Sequence, residues 1–553
     1  MPTTSSYPPL DIPNVNLWSF LFSRSDQPYP DAKVLFSDAE APRAYTYHAV
    51  RDATIKFGSG LLAEYDWKKG DVVALFSPND VDYPLVMLGT LWAGGIVSLV
   101  NSSYTASELE FQLVDSAAKL LVTHMALLPI VLVAAKKLGF LLSKILLLGD
   151  EDFVRASGLK HFKSLRGLGH STIPYSIDPY NDTCCLIYSS GTTGKPKGVM
   201  LTHRNFVSNT LMLVQSENGN LSWKGGPNGR GDSIIGFLPF FHSYGLTGVV
   251  LYSFYVGAEV IVMQKFDLEK YCEITERRKV TVAMVVPPVV LLLGKSPIVD
   301  RYDLSSLRLL TSGAAPLTRE LVNIVQKRLN ATVRQGYGLS ETSPVIYQQT
   351  WESLGEPVGS IGTLLANQVA KFVSPAGEEV PINEVGELWM KGPNVFKGYL
   401  NNPVKTTEAF SEDGYFKTGD IGYQDACGNV FITDRSKELI KYNAFQVAPA
   451  ELEGVLMSHP KVADAAVVGV QDDQRATEVP RAYLVVGPGV KATEETAREI
   501  QTWMKEKVAS HKQLRGGIRF IDAVPKSAAG KILRTKVREL AKTEDGSLLQ
   551  SKL

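Results

Sequence analysis

Cysteine is scarce: Cys184, Cys185, Cys272 and Cys427 are all that the 553-residue chain contains. Two are neighbours in an apolar run and none has metal-ligand spacing, which argues against a disulfide scaffold or a cysteine-ligated zinc site. They read as buried, reduced thiols of an intracellular protein. Net charge is missing too, because 57 Lys and Arg balance 57 Asp and Glu. No global pull toward nucleic acid or an anionic membrane follows, so any polyanion site must be local. Residues 1–13 lack a basic segment followed by an apolar one, and no secretory signal is expected. The longest apolar stretch, 125–142, is broken by Pro129, Lys136 and Lys137 and falls short of a membrane span. A soluble protein is expected.

What is present fits an ordinary globular composition, 44% hydrophobic and 21% charged. The length calls for two or more domains. Apolar strand-like runs (71–76, 95–100, 119–123, 144–148, 234–238, 259–263) alternate with helical patterns such as 84–93 and 108–116. That alternation predicts an α/β fold with layered sheets and helices and largely buried strands. Past Asp434-Arg435-Ser436-Lys437 the composition changes. Pro449 opens a helix over 450–458 that Pro460 stops, strands fit 463–470 and 482–486, and 493–509 has a helical apolar stripe. The expected organisation is a large N-terminal domain of several subdomains, 1–434, and a small, mobile α+β domain, 435–553.

One loop carries most chemical information: Tyr188-Ser189-Ser190-Gly191-Thr192-Thr193-Gly194-Lys195-Pro196-Lys197-Gly198. Small and hydroxyl residues with two lysines, set between apolar segments, offer backbone N–H groups, hydroxyls and cations to a triphosphate. No Gly-Lys-Ser/Thr closes it, so it is not a Walker A loop. Thr202 fits the N-cap of the helix predicted over 203–215. Further on, Gln335-Gly336-Tyr337-Gly338-Leu339-Ser340-Glu341-Thr342 sets an aromatic between glycines, where a flat ligand can approach the backbone and stack on Tyr337. Glu341 is a hard oxygen ligand suited to Mg²⁺, and Ser340 can hydrogen-bond a phosphate. Asp420, in Tyr415-Phe416-Lys417-Thr418-Gly419-Asp420, offers a carboxylate to ribose hydroxyls.

The ordered series of these motifs resembles the acyl-adenylate-forming superfamily, in particular 4-coumarate–CoA ligase and its luciferase-related peroxisomal relatives. The series is the phosphate loop, Pro239-Phe240-Phe241-His242, Thr311-Ser312-Gly313-Ala314-Ala315-Pro316, 336–342, 418–420, Asp434-Arg435 and Lys531. The resemblance covers 14–534. It implies ATP, Mg²⁺ and coenzyme A, with Asp420 and Arg435 on the ribose, Tyr337 on the adenine, backbone of Gly313, Ala314, Ala315 and Pro316 lining it, and Glu341 on the metal. His242 is similar to the family histidine between acyl pocket and CoA tunnel. Lys531, in Pro525-Lys526-Ser527-Ala528-Ala529-Gly530-Lys531, looks like the adenylation lysine. Ser436 and Lys437 match the interdomain hinge, and Lys441 and Gln446 match residues that act after the small domain turns. The acyl pocket is expected from Tyr244, Ser312, Gly336, Gly338, Pro344 and Val345 together with 285–292 and Ile346. It suits a hydrophobic acid, either aryl-propenoic or a medium- to long-chain fatty acid.

The chain departs from the family pattern at Asn443 and Ala444, where lysine and glycine are usual, and the change falls on the thioester half-reaction. Three other readings share the adenylation set: a luciferase-like monooxygenase, an enzyme loading a carrier protein, and an inactive nucleotide or acyl sensor. Joint retention of Lys531, Glu341, Asp420 and His242 argues against the last. Ser551-Lys552-Leu553 is a tripeptide read by the peroxisomal import receptor, so a peroxisomal matrix location is expected in a eukaryote and a cytoplasmic one otherwise. Nucleic acid and integral membrane contact are not expected.

Overall fold

The computed structural model describes all residues except 1, 166–172, 190–195, 227–228, 316, 318, 354, 436–437, 443–444, 473–476, 509, 528–529 and 551–553. The side chains of 153, 320, 434–435, 441, 445–446, 511 and 545–550 also lie outside the description.

Two large, mostly parallel sheets dominate. In the first, Val72–Phe76 pairs in parallel with Ile96–Val100 on one side and Leu120–His124 on the other, and the order runs outward to eight strands. In the second, of nine strands, Val282–Val285, Leu309–Ser312 and Thr332–Gly338 lie side by side in parallel. Strands such as Val72–Phe76 and Val282–Val285 are buried at every position, as continuous apolar runs covered on both faces should be. One continuous core joins the two sheets. The helix Tyr83–Trp92 lies within it with all ten residues buried, which explains why it carries no polar face. A third sheet, of five strands, contains Gly386–Lys391, Phe416–Gln424 and Val430–Arg435.

The predicted helix after the phosphate loop spans His203–Glu217. Thr202 caps it in a reciprocal box with Asn205, satisfying N–H groups the first turn leaves orphaned.

The main core cluster ends at Val430, and the next begins at Ile440. Beyond it, Val462–Asp472, Thr477–Val486 and Ile518–Phe520 form a small sheet covered by the helices Pro449–Met457 and Glu494–Lys507. The chain is therefore mixed α/β with a large and a small part. One expectation fails. Cys184, Cys185 and Cys272 are buried, but Cys427 is exposed, because it sits in the Asp425–Asn429 turn, where Asp425 Oδ1 accepts from the N–H groups of both Cys427 and Asn429.

Candidate active site

A cavity of about 1270 Å³ opens where the three sheets and the small part meet. Its first wall is the hairpin formed by Thr183–Ser189 and Lys197–Thr202, in which Ser189 stands opposite Lys197. Ser190, Gly191, Thr192, Thr193, Gly194 and Lys195 lie outside the described residues, as does Pro316. Ser189 Oγ donates to the buried Glu341 carboxylate at 3.3 Å, and Tyr399 Oη donates to the same oxygen at 3.0 Å. Lys197 Nζ lies 4.3 Å from the centroid of the Tyr399 ring, a cation–π contact that ties the lysine to the carboxylate through one aromatic. Tyr399 was not anticipated from the sequence; it sits in the two-residue strand Gly398–Tyr399 with no motif around it.

The second wall carries Gly336 to Glu341. Tyr337 Oη donates to the buried Asp420 carboxylate at 2.5 Å, joining the proposed adenine and ribose residues directly. Arg435 pairs with Asp420 across the strands, although its side chain is not described. Gly338 is required by sterics: a Cβ there would stand 1.8 Å from the Pro344 carbonyl oxygen. Gly313, Ala314 and Ser340 line the cavity. Ala315 is half-buried and is not among the lining residues.

His242 and Tyr244 come from the segment after Ser233–Gly236. The Tyr244 N–H donates to His242 Nδ1 at 3.3 Å, which leaves the proton on Nε2. Desolvation, helped by the Lys531 charge, pushes the imidazole down to about 4. His242 is therefore neutral near pH 7 and can act as a donor without adding charge to the site. Tyr244 Oη donates to the Thr311 carbonyl at 2.8 Å, so its hydrogen is committed and only its lone pairs remain for a ligand. The Ser312 hydroxyl is buried without a partner among the described residues. Pro344 and Val345 also line the cavity, and Asn209 holds Val345 by both its backbone N–H and its carbonyl.

The far end of this wall holds a polar network with no sequence motif. Gln348 lines the cavity yet is 4% exposed. Its Nε2 donates to Glu217 at 2.8 Å, with a longer contact of 3.5 Å to Ser216. Glu217 also accepts from the buried Arg334 and from Trp351 Nε1 at 2.5 Å. A carboxylate only accepts, so the amide of Gln348 is locked with Oε1 on the other side. That oxygen lies 4.0 Å from where a Cβ on Gly336 would stand.

Lys531 reaches the cavity from the small part, with Lys526 and Ser527 beside it. The Ser527 N–H donates to the Lys531 carbonyl at 2.7 Å, and the Lys531 N–H donates to Ser527 Oγ at 3.2 Å. Gly530 adopts φ 77° and would bring a Cβ within 3.3 Å of Val286 in the large part. Arg534, just beyond, is buried between Glu438 at 2.9 Å and Glu453 at 2.6 Å, which anchors the lysine loop to its own domain. The backbones of Lys441 and Gln446 pair in a short hairpin, but their side chains, and Asn443, Ala444, Ser436 and Lys437, lie outside the described residues. The cavity thus joins a phosphate-type loop flank, a buried carboxylate, a flat aromatic slot, an apolar recess and a cation delivered from a second domain. Such an arrangement can hold a nucleotide beside a hydrophobic acid.

Comparisons with known proteins agree. The family described as "AMP-binding enzyme" matches residues 22–400, and "AMP-binding enzyme C-terminal domain" matches 451–531. The chain is 38% identical to a 4-coumarate–CoA ligase 1 of Narcissus pseudonarcissus, covering 97% of this chain and 95% of the relative. It is 39% identical to a 4-coumarate:CoA ligase 1 of Petunia hybrida, covering 89% and 88%. Among solved structures it resembles ATP-bound MatB from Rhodopseudomonas palustris, with a TM-score of 0.83, 29% identity and coverage of 96% and 99%.

Proposed function

Because the chain belongs to the acyl-adenylate-forming family of AMP-binding enzymes, we propose that it is an acid–thiol ligase that activates a hydrophobic carboxylic acid with ATP and passes the acyl group to coenzyme A. First, a carboxylate oxygen bonds to the α-phosphorus while the bond from that phosphorus to the β-phosphate oxygen breaks, releasing pyrophosphate. Then the CoA sulfur bonds to the acyl carbonyl carbon, the thiol proton leaves, and AMP departs. The observation that carries this reading is the convergence of Lys531, Glu341 and Tyr337 on one cavity, with the buried Asp420 bonded to Tyr337 behind its wall.

Two anions approach each other in the first step, so fixed positive charge supplies the dominant stabilisation. Lys531 bridges the carboxylate and the α-phosphate in this proposal, and Lys197 faces the departing pyrophosphate. Tyr337 stacks on the adenine, Asp420 and Arg435 bind the ribose, and neutral His242 separates acyl pocket from thiol channel. The buried Glu341, with the Ser189 hydroxyl beside it, fits Mg²⁺, which proteins hold through one or two carboxylates plus substrate phosphates; when bound, the ion supplies positive charge against those phosphates. Retreat of the small domain, taken as 435–553, about Ser436 and Lys437 would withdraw Lys531 and bring Lys441 and Gln446 to the thioester step. Steady-state AMP release over a panel of aryl and fatty acids, with and without CoA, tests the whole. CoA-dependent release with thioester formation is expected, and tightly held acyl-AMP without thioester would mean another acceptor.

The 4-coumarate–CoA ligase relatives favour an aryl-propenoic acid. Gln348 Oε1 and Tyr244 Oη can only accept, which favours a distal hydroxyl over a keto or methoxy group; Ser312 can turn either way. Gln348→Leu should therefore lower kcat/KM for a 4-hydroxyaryl acid about 3- to 10-fold relative to the unsubstituted acid, the worth of one such hydrogen bond. An equal loss on both acids would remove Gln348 from recognition. Ser551-Lys552-Leu553, outside the described residues, supports a peroxisomal address; deleting it should leave a fluorescent fusion in the cytosol.

A further inference from the structure

The apolar run at 125–149 carries three lysines, Lys136, Lys137 and Lys144, and no acidic residue. It folds as the helix Leu128–Leu138, a left-handed glycine at Gly139, a short turn Leu142–Lys144, and the strand Ile145–Leu148. One face is spent on the core: Leu128, Val131, Ala134 and Ala135 pack beneath the first sheet. The other face is not. Leu132, Val133, Leu138, Leu141 and Leu142 are 41, 59, 37, 60 and 52% exposed. They are five of the thirteen large hydrophobic residues exposed among the described residues, and all five fall within eleven positions. Single exposed leucines need no explanation, but a contiguous patch does.

The charges carried by the run itself are all positive, and among the described residues two of the three are not neutralised by a neighbouring carboxylate. Lys137 pairs with Glu110 at 2.5 Å, and neither Lys136 nor Lys144 has a carboxylate partner among the described residues. The turn holds its leucines outward by backbone bonds: the Phe140 N–H donates to the Ala135 carbonyl, and Tyr65 Oη donates to the Ser143 carbonyl.

We propose that this helix end and turn form a docking surface for an anionic lipid bilayer, with the leucines entering the headgroup boundary and the lysine ammonium groups on lipid phosphates and carboxylates. Lysine stems lie along apolar surface and carry their charge to the interface, the usual make-up of an element that lies on a membrane. No helix among the described residues is long and apolar enough to cross one, so contact is shallow. A second copy of the chain fits this face less well, because a two-fold contact sets the same patch against itself and brings like lysines together. The helix returns between the parallel strands Leu120–His124 and Ile145–Leu148, so its C-terminal end lies at the edge of the sheet away from the strand ends that feed the cavity. Docking leaves the site open, and it places an enzyme for hydrophobic acids where such acids partition.

Flotation of the full-length chain with phosphatidylcholine vesicles, with and without phosphatidylserine, tests this. Binding should need the anionic lipid and weaken as salt is raised. Lys136→Glu with Lys144→Glu should weaken it by at least about fivefold per position, and Leu141→Ser with Leu142→Ser by about tenfold or more. Both pairs change exposed side chains, so AMP release from a soluble acid without vesicles should be unchanged, which certifies the fold. Absence of binding by the parent chain, or equal binding by both variants, overturns the proposal. So does light scattering that shows a dimer which Leu141→Ser with Leu142→Ser dissociates, since the patch would then belong to a second copy.

Discussion

Lys531→Ala should lower acyl-adenylate formation by about 10²- to 10³-fold while leaving thioester formation from preformed acyl-AMP nearly intact. The magnitude is that of removing one preorganised charge or donor from a site where negative charge builds up. The split between half-reactions follows from placement. Lys531 belongs to the small part and meets the cavity through a loop whose Gly530 packs near Val286. In the proposed mechanism it serves the step in which a carboxylate meets a phosphate and withdraws with the small domain before a thiol attacks the carbonyl. Pyrophosphate exchange reads the first step, and a thioester assay on synthetic acyl-AMP reads the second. Equal loss in both would mean that the lysine only holds the domains together; no loss in the first would remove it from the chemistry. Arg534, tied to Glu438 and Glu453, is the internal control, since losing that anchor should loosen the small domain and affect both steps.

The second large effect concerns stability. Glu217→Ala should destabilise the large domain by about 3–5 kcal/mol, because it leaves the guanidinium of Arg334, 1% exposed, without a counter-ion. Arg334 would retain its bond to Thr311 Oγ1 at 3.0 Å, which is far from enough to offset a buried charge. Replacing both members with leucine should recover most of the loss, because the desolvation of two charges goes with them. Urea unfolding of the single and double variants measures this. A single variant within about 1 kcal/mol of the parent, the ordinary range for a surface change, would mean that the pair is hydrated in solution. Glu217→Ala also frees the Gln348 amide to turn, so its hydroxyl selectivity should fall with the stability.

These two sites differ in how they can be found. Lys531, Glu341, Tyr337 and Asp420 stand in short motifs whose residue types announce phosphate, metal, base and sugar chemistry, and the order of the motifs along the chain identifies the family. The strands and helices were legible for a similar reason: buried strands such as Val72–Phe76 are unbroken apolar runs, and Thr202 is a local capping signal. Glu217, Arg334, Gln348 and Trp351 had no such signal. Glu217 lies 117 residues before Arg334, 131 before Gln348 and 134 before Trp351. The one hint was a charged residue, Arg334, inside the strand Thr332–Gly338, which means little until its partner is known. Tyr399 was equally silent, and Cys427 misled because composition says nothing about which turn meets solvent.

The sequence by itself determined the α/β class and the family, and it named the candidate groups for nucleotide and carboxylate, since each depends on local periodicity or on residues adjacent in the chain. Only the tertiary structure decided how those groups are tuned. It fixed the proton of His242 on Nε2, committed the hydrogen of Tyr244 to Thr311, committed the Gln348 amide nitrogen to Glu217, and left one face of Leu128–Leu138 uncovered. Hydrogen-bond direction and burial depend on which distant segments become neighbours. That information resides in the packing of two sheets around a shared core, not in any single stretch of the chain.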